Sequence, residues 1–176
     1  IMDKQKIEIA FKQIQDSICE QLSSVDGEKF KEDQWTRPGG GGGRTRVING
    51  IHIEKGGVNF SAVNGETPEK ILKALGLKKS NFYATGVSIV LHPKNPMVPI
   101  IHMNIRYFEM DNGIWWFGGG IDLTPHLIEK SQAKFFHQEL KNTCDKFNPS
   151  FYFEFKKWAD DYFYIPHRQE TRGIGG

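Results

Sequence analysis

The sequence predicts an α+β fold, one large and mainly antiparallel sheet flanked by helices. Three patterns carry that expectation. Ile7, Phe11, Ile14, Ile18 and Leu22 recur at steps of four and three, the stripe of an amphipathic helix. From Arg44 to Phe117, apolar runs alternate with turn signals suited to hairpins, among them Asn49-Gly50, Pro93-Lys94-Asn95-Pro96 and Asp111-Asn112-Gly113. After Thr124-Pro125 the helical spacing returns in two segments.

Taken in order, the first helix gives way after Gly27 to a polar stretch leading to Pro38 and the run Gly39 to Gly43. Arg44–Ile48, Asn49-Gly50 and Ile51–Glu54 read as a hairpin, because Asn-Gly tolerates the positive φ angles of a type I′ turn. Lys55-Gly56-Gly57 breaks the pattern, and Val58–Val63 reads as a further strand. Thr67-Pro68-Glu69 predicts a short helix ending at Gly76, with the Thr67 hydroxyl as N-cap and proline at the first position. Two long strands follow, Phe82–His92 and Val98–Glu109, then a shorter one over Ile114–Phe117. Phe136, Leu140, Cys144 and Phe147 mark one helix; Phe151, Phe155, Trp158 and Tyr162 mark another that ends before Pro166. Residues 1–176 read as a single domain.

Composition narrows the function classes. A net charge of +2 gives no reason to expect a nucleic-acid partner. No apolar run approaches the ~20 residues of a membrane span, and the first thirty residues lack a signal-peptide core. Cys19 and Cys144 are far apart and outside any CxxC, which disfavours a disulfide framework and a cysteine-built zinc site. With 19 Gly in 176 residues, against a usual share of roughly 7%, and with 13 Phe, 5 Tyr and 4 Trp, the chain suits tight turns and a partly aromatic cavity or interface.

The strands over residues 82–109 hold the most informative chemistry. Along them Val87, Ile89, Leu91, Ile101, Met103, Ile105 and Tyr107 form apolar rows, and Ser88, His92, His102, Asn104 and Arg106 form polar ones. Only a register in which paired numbers sum to an even value keeps each set on one face. That polar face is either the wet side of a sheet or the floor of a site.

The other candidates carry weaker signals. Pro38–Arg46 does not fit a phosphate loop, which needs Gly where Pro38 stands and Lys where Arg44 stands. Its five glycines would let backbone approach a flat ligand, act as a hinge, or simply form a surface loop. No metal-ligand spacing links His52, His92, His102, His126, His137 and His167, so any metal would need distant segments brought together. Arg44, Arg46, Arg106, Arg168 and Arg172 are candidate partners for a multiply charged carboxylate, or else solvated surface charge.

Five blocks stand out: Trp35–Arg46 (WTRPGGGGGRTR), Glu54–Ser61 (EKGGVNFS), Ala84–Glu109, Trp115–Pro125 (WWFGGGIDLTP) and Lys157–Gly176. Through them the sequence resembles the oxygen-dependent coproporphyrinogen III oxidases of haem biosynthesis. The resemblance implies oxidative decarboxylation of two propionates of coproporphyrinogen III to vinyl groups, giving protoporphyrinogen IX. O2 would be co-substrate, with no organic cofactor and with a divalent metal possible. It further implies that Ser88, Asn104, Ile105 and Arg106 contact substrate and that His102 is the proton donor. By the same resemblance His92, His102, His137 and His167 match positions assigned as metal ligands. A homodimer and a cytoplasmic location are expected, with mitochondrial as the alternative.

Members of that family run beyond 176 residues, so the chain is expected to lack the C-terminal part of the family fold, and Ile1 before Met2 reads as a tag remnant. His126 also departs from the aromatic residue expected after Thr-Pro. Two other functions stand beside the oxidase: a non-catalytic tetrapyrrole-binding fragment and a histidine-built metalloenzyme of different specificity.

Overall fold

A computed structural model describes residues 3–176. Helix α1 covers Lys4–Asp26, longer than its apolar stripe requires. Asp3 caps it by accepting from the backbone N–H groups of Gln5 and Lys6. Gly27, at φ 89°, ends it by donating to the Ser23 carbonyl, a left-handed conformation that glycine adopts without a Cβ penalty. The stripe packs on the sheet: Phe11 and Cys19, with Ile7, Ile14, Ile18 and Leu22, meet Val58, Phe60, Val87, Ile89 and Tyr107. Each such apolar side chain fully buried contributes about 1.5–3 kcal/mol. Gln15 is fully buried in this layer, yet it is satisfied. Its amide donates to the carbonyls of Arg44 and Val58, and its oxygen accepts from the Arg44 guanidinium.

The sheet is antiparallel throughout. Its seven strands lie in the order β1 (Lys31–Thr36), β2 (Gly41–Ile48), β3 (Ile53–Glu66), β4 (Asn81–Pro93), β5 (Ile100–Met110), β6 (Trp115–Thr124) and β9 (Ile174–Gly175). A short pair, β7 (Tyr164–Ile165) and β8 (Glu170–Thr171), stands apart from it. Helices α2 (Glu69–Leu75), α3 (Lys130–Asp145) and α4 (Phe151–Phe163) complete the α+β fold.

Four details depart from expectation. The Asn49-Gly50 pair does not form a two-residue turn, because Ile48 pairs with Gly56. The Asp26 carboxylate, at the end of α1, accepts from the N–H groups of Ile51, His52 and Ile53 and holds that segment out of the ladder. Lys55-Gly56-Gly57 is not a break: β3 runs unbroken for 14 residues, and Gly56 is buried where a Cβ would press on Ile48, Leu91 and Ile53. Strand β1, exposed throughout, and the glycine half of β2 arise from a stretch with no alternating pattern to signal them. Pro68, not Thr67, is the N-cap of α2, and the buried Thr67 hydroxyl has no partner among the described residues.

Candidate functional site

The β4–β5 register is even. Ser88 faces Asn104, Gly86 faces Arg106 and Val90 faces His102 across the ladder. Because side chains alternate, the apolar rows point to α1, and Ser88, His92, His102, Asn104 and Arg106 share the opposite face. Burial follows the same division: Val87, Ile89 and Tyr107 are buried, while Ser88, His92 and Arg106 are exposed.

Following the registers outward shows how broad this face is. The row through Arg106 runs Trp35, Gly43, Ser61, Gly86, Arg106, Gly118. The next runs Thr45, Asn59, Ser88, Asn104, Gly120. From β2 to β6 that is four strand spacings, about 19 Å at ~4.8 Å each. Small side chains leave it flat and open. Gly43 lies under the Trp35 indole, whose Nε1–H donates to the Thr45 hydroxyl, so that tryptophan folds down as a rim.

Two polar centres stand on this floor. The Arg106 guanidinium is held by two hydrogen bonds, of 3.0 and 2.7 Å, to the Asn104 side-chain oxygen. It has no carboxylate partner among the described residues, unlike Arg44, Arg46, Arg168 and Arg172. Four residues along β5, the second centre is built on Asp122, which is only 1% exposed. One of its oxygens lies 2.7 Å from His102 Nδ1; the other accepts from Arg172 at 2.8 Å. The His92 ring meets the His102 ring edge-on, 6.3 Å between centroids.

Of the residues expected to contact substrate, Ser88, Asn104 and Arg106 come together on the floor. Ile105 does not, since its side chain packs toward the core with α1. Of the four histidines expected to bind metal, His92 and His102 are neighbours. His137 lies on α3, with Nδ1 3.2 Å from the Tyr152 hydroxyl and a buried Nε2 that finds no partner among the described residues. Burial first, then the nearby Lys156 ammonium, hold its pKa below the ordinary histidine value. His167 is exposed in the turn between β7 and β8. Among the described residues no three His, Cys, Asp or Glu side chains converge to hold a metal ion. The four histidines therefore do not fit a shared metal in this arrangement.

Asp122 escaped the sequence reading. Its signal was available in the alternation of β6, which places Asp122 opposite His102 once the β5–β6 register is known.

Comparison with known proteins gives the family. The family model for coproporphyrinogen III oxidase matches residues 6–176. The chain belongs to that family. It is 49% identical over 188 residues to coproporphyrinogen-III oxidase 1, chloroplastic, of Arabidopsis thaliana, covering 97% of this chain and 49% of the relative. It is 50% identical over 167 residues to the oxygen-dependent coproporphyrinogen-III oxidase of Prochlorococcus marinus (strain MIT 9515), covering 93% and 48%. To the Drosophila melanogaster enzyme of that name it is 46% identical over 188 residues, covering 98% and 48%. The chain thus spans about half the length of these relatives. No helix among the described residues is long and apolar enough to cross a membrane.

Proposed function

We propose that this chain carries the substrate face of an oxygen-dependent coproporphyrinogen III oxidase. The observation that carries the reading is the juxtaposition, on one glycine-lined sheet face, of an unpaired Arg106 and the His102–Asp122–Arg172 cluster. For each propionate, a hydrogen leaves the carbon next to the pyrrole and the bond to the carboxyl carbon breaks. The vinyl double bond forms and CO2 departs. The two electrons reduce O2, which takes up the proton released from that carbon and one from solvent to become H2O2.

Each role follows from position. Arg106 pairs with a substrate carboxylate, its fork aimed by Asn104. Asp122 accepts the Nδ1–H of His102, which leaves Nε2 free to exchange a proton with the pyrrole nitrogen or the side chain. Asp122 also stabilises the imidazolium that results, while Arg172 keeps the buried carboxylate paired. A flat floor suits a macrocycle, and closing its open side would exclude water. A homodimer and a cytoplasmic location complete the proposal, for sedimentation and localisation to test.

The test is turnover of freshly reduced coproporphyrinogen III by this chain, with and without O2, read by chromatography. O2-dependent protoporphyrinogen IX is the expected product. The alternative reading is tetrapyrrole binding without turnover. Porphyrin binding with no product would select it.

A further inference from the structure

The end of the floor away from Asp122 is aromatic and carries a second free guanidinium. Phe82, Phe108 and Trp116 stack in sequence across β4, β5 and β6, with centroids 5.8 Å and then 4.4 Å apart. All three project on the Arg106 side of the sheet, by the register of their strands. Arg37, in the turn between β1 and β2, caps the row, its guanidinium 6.0 Å from the Phe82 ring centroid. One Nη1–H donates to the Asn64 carbonyl, and the backbone of Arg37 bonds Gly40 and Gly41, so the side chain is fixed rather than free-swinging.

Arg37 has no carboxylate partner among the described residues. Of the acids at the ends of β3 and β5, Glu66 pairs with Lys79, and Asp111 accepts from Ser80 and Asn81. Four of its five N–H donors are therefore unused by the fold. Phe82 lies four residues from Gly86, the cross-strand partner of Arg106, which is about 13 Å along the strand at ~3.3 Å per residue. Asp122, through His102, lies four residues to the other side of Arg106. The floor thus carries two guanidiniums, Arg37 and Arg106, with no carboxylate partner among the described residues, on one side of the Asp122–Arg172 pair.

We propose that Arg37 is a second carboxylate-binding station, so that a ligand bearing carboxylates around its rim is held by Arg106 and Arg37 together. It rests on the tetrapyrrole reading above and adds the residue that counts the ligand's carboxylates. The WTRPGGGG turn then serves to present Arg37, and its glycines clear the way: a Cβ on Gly40 would press on Asn64.

The probes are coproporphyrin III, with four carboxylates, and mesoporphyrin IX, with two on neighbouring pyrroles, titrated by fluorescence into this chain. Arg37→Met keeps the apolar stem over Phe82 and removes the charge. It should weaken coproporphyrin binding about tenfold, the worth of one charge-assisted pair, and change mesoporphyrin binding less than twofold. Mesoporphyrin affinity doubles as the control for folding. Equal loss for both ligands, or no loss for coproporphyrin while Arg106→Met still weakens it, would overturn the role of Arg37 alone. If the unmodified chain binds neither porphyrin, or Arg106→Met has no effect on either, the underlying reading falls and takes this inference with it.

Discussion

Asp122 and His102 illustrate how a single residue gains its role from its neighbours. Asp122→Asn keeps size and burial but gives His102 a neutral partner, so the imidazole loses the acceptor that fixes its tautomer. On the proposed reading, turnover should fall by roughly 100-fold, within the ordinary range for losing a positioned proton-transfer group. Steady-state assay checks this; an unchanged kcat would make Asp122 structural only. Arg106→Lys should raise KM more than it lowers kcat, because an ammonium cannot reproduce the guanidinium fork held by Asn104.

Asp26 acts at the scale of elements, tying the end of α1 to the β2–β3 connection. Burial pushes its carboxyl up, but the bonds from the N–H groups of Ile53, Ile51 and His52 outweigh this and hold it below the ordinary value. A folded-state pKa that is depressed adds stability at pH above the ordinary carboxylate range. That contribution is lost as pH falls from 3.8 through the folded value. Asp26→Ala should lower the melting temperature by roughly 5 °C at neutral pH, from donors left without a partner. Part of the acid-side slope of melting temperature against pH should disappear with it. Gly56 is the second such point: Gly56→Val would force a side chain between Ile48, Ile53 and Leu91, and thermal melting should show a clear loss.

Much of this scale was readable beforehand. The α1 stripe, the α2 stop at Gly76 and the two long strands follow from periodicity and turn chemistry, which act within a few residues. Strand β1 and the unbroken course of β3 do not, because the polar β1 and the glycines of β3 carry no alternating pattern of their own and become strands by pairing with their neighbours. The position of Pro68 as the N-cap of α2 is likewise a matter of how the chain enters from β3.

At the scale of the whole molecule, the sheet has one face packed by α1 and an opposite face that the proposed reading gives to a ligand. Helices α3 and α4 add a different surface. Neither contains a buried residue, and Phe135, Phe153, Trp158 and Tyr162 are 64–78% exposed. The spacing that marked Phe151, Phe155, Trp158 and Tyr162 was correct for a helix, yet Trp158 and Tyr162 are open to solvent. An apolar patch of this kind promotes association. Sedimentation should show concentration-dependent self-association, reduced by Phe153→Lys or Trp158→Lys; a monomer at all concentrations would contradict this.

By itself the sequence determined the fold class, the two faces of the β4–β5 pair and the residues Ser88, His102, Asn104 and Arg106 that share one of them. These follow from alternation along a strand, a property of the local backbone. It also determined the family, through blocks that run from Trp35 to Gly176. Only the tertiary structure decided that Asp122 joins His102 to Arg172 and that His137 and His167 stand away from His92 and His102. It alone set Arg37 over the aromatic row. Each of these depends on register and packing between segments far apart in the chain. Such juxtapositions leave no periodic trace, because the energy that fixes them comes from the partner strand and not from the residue's own neighbours.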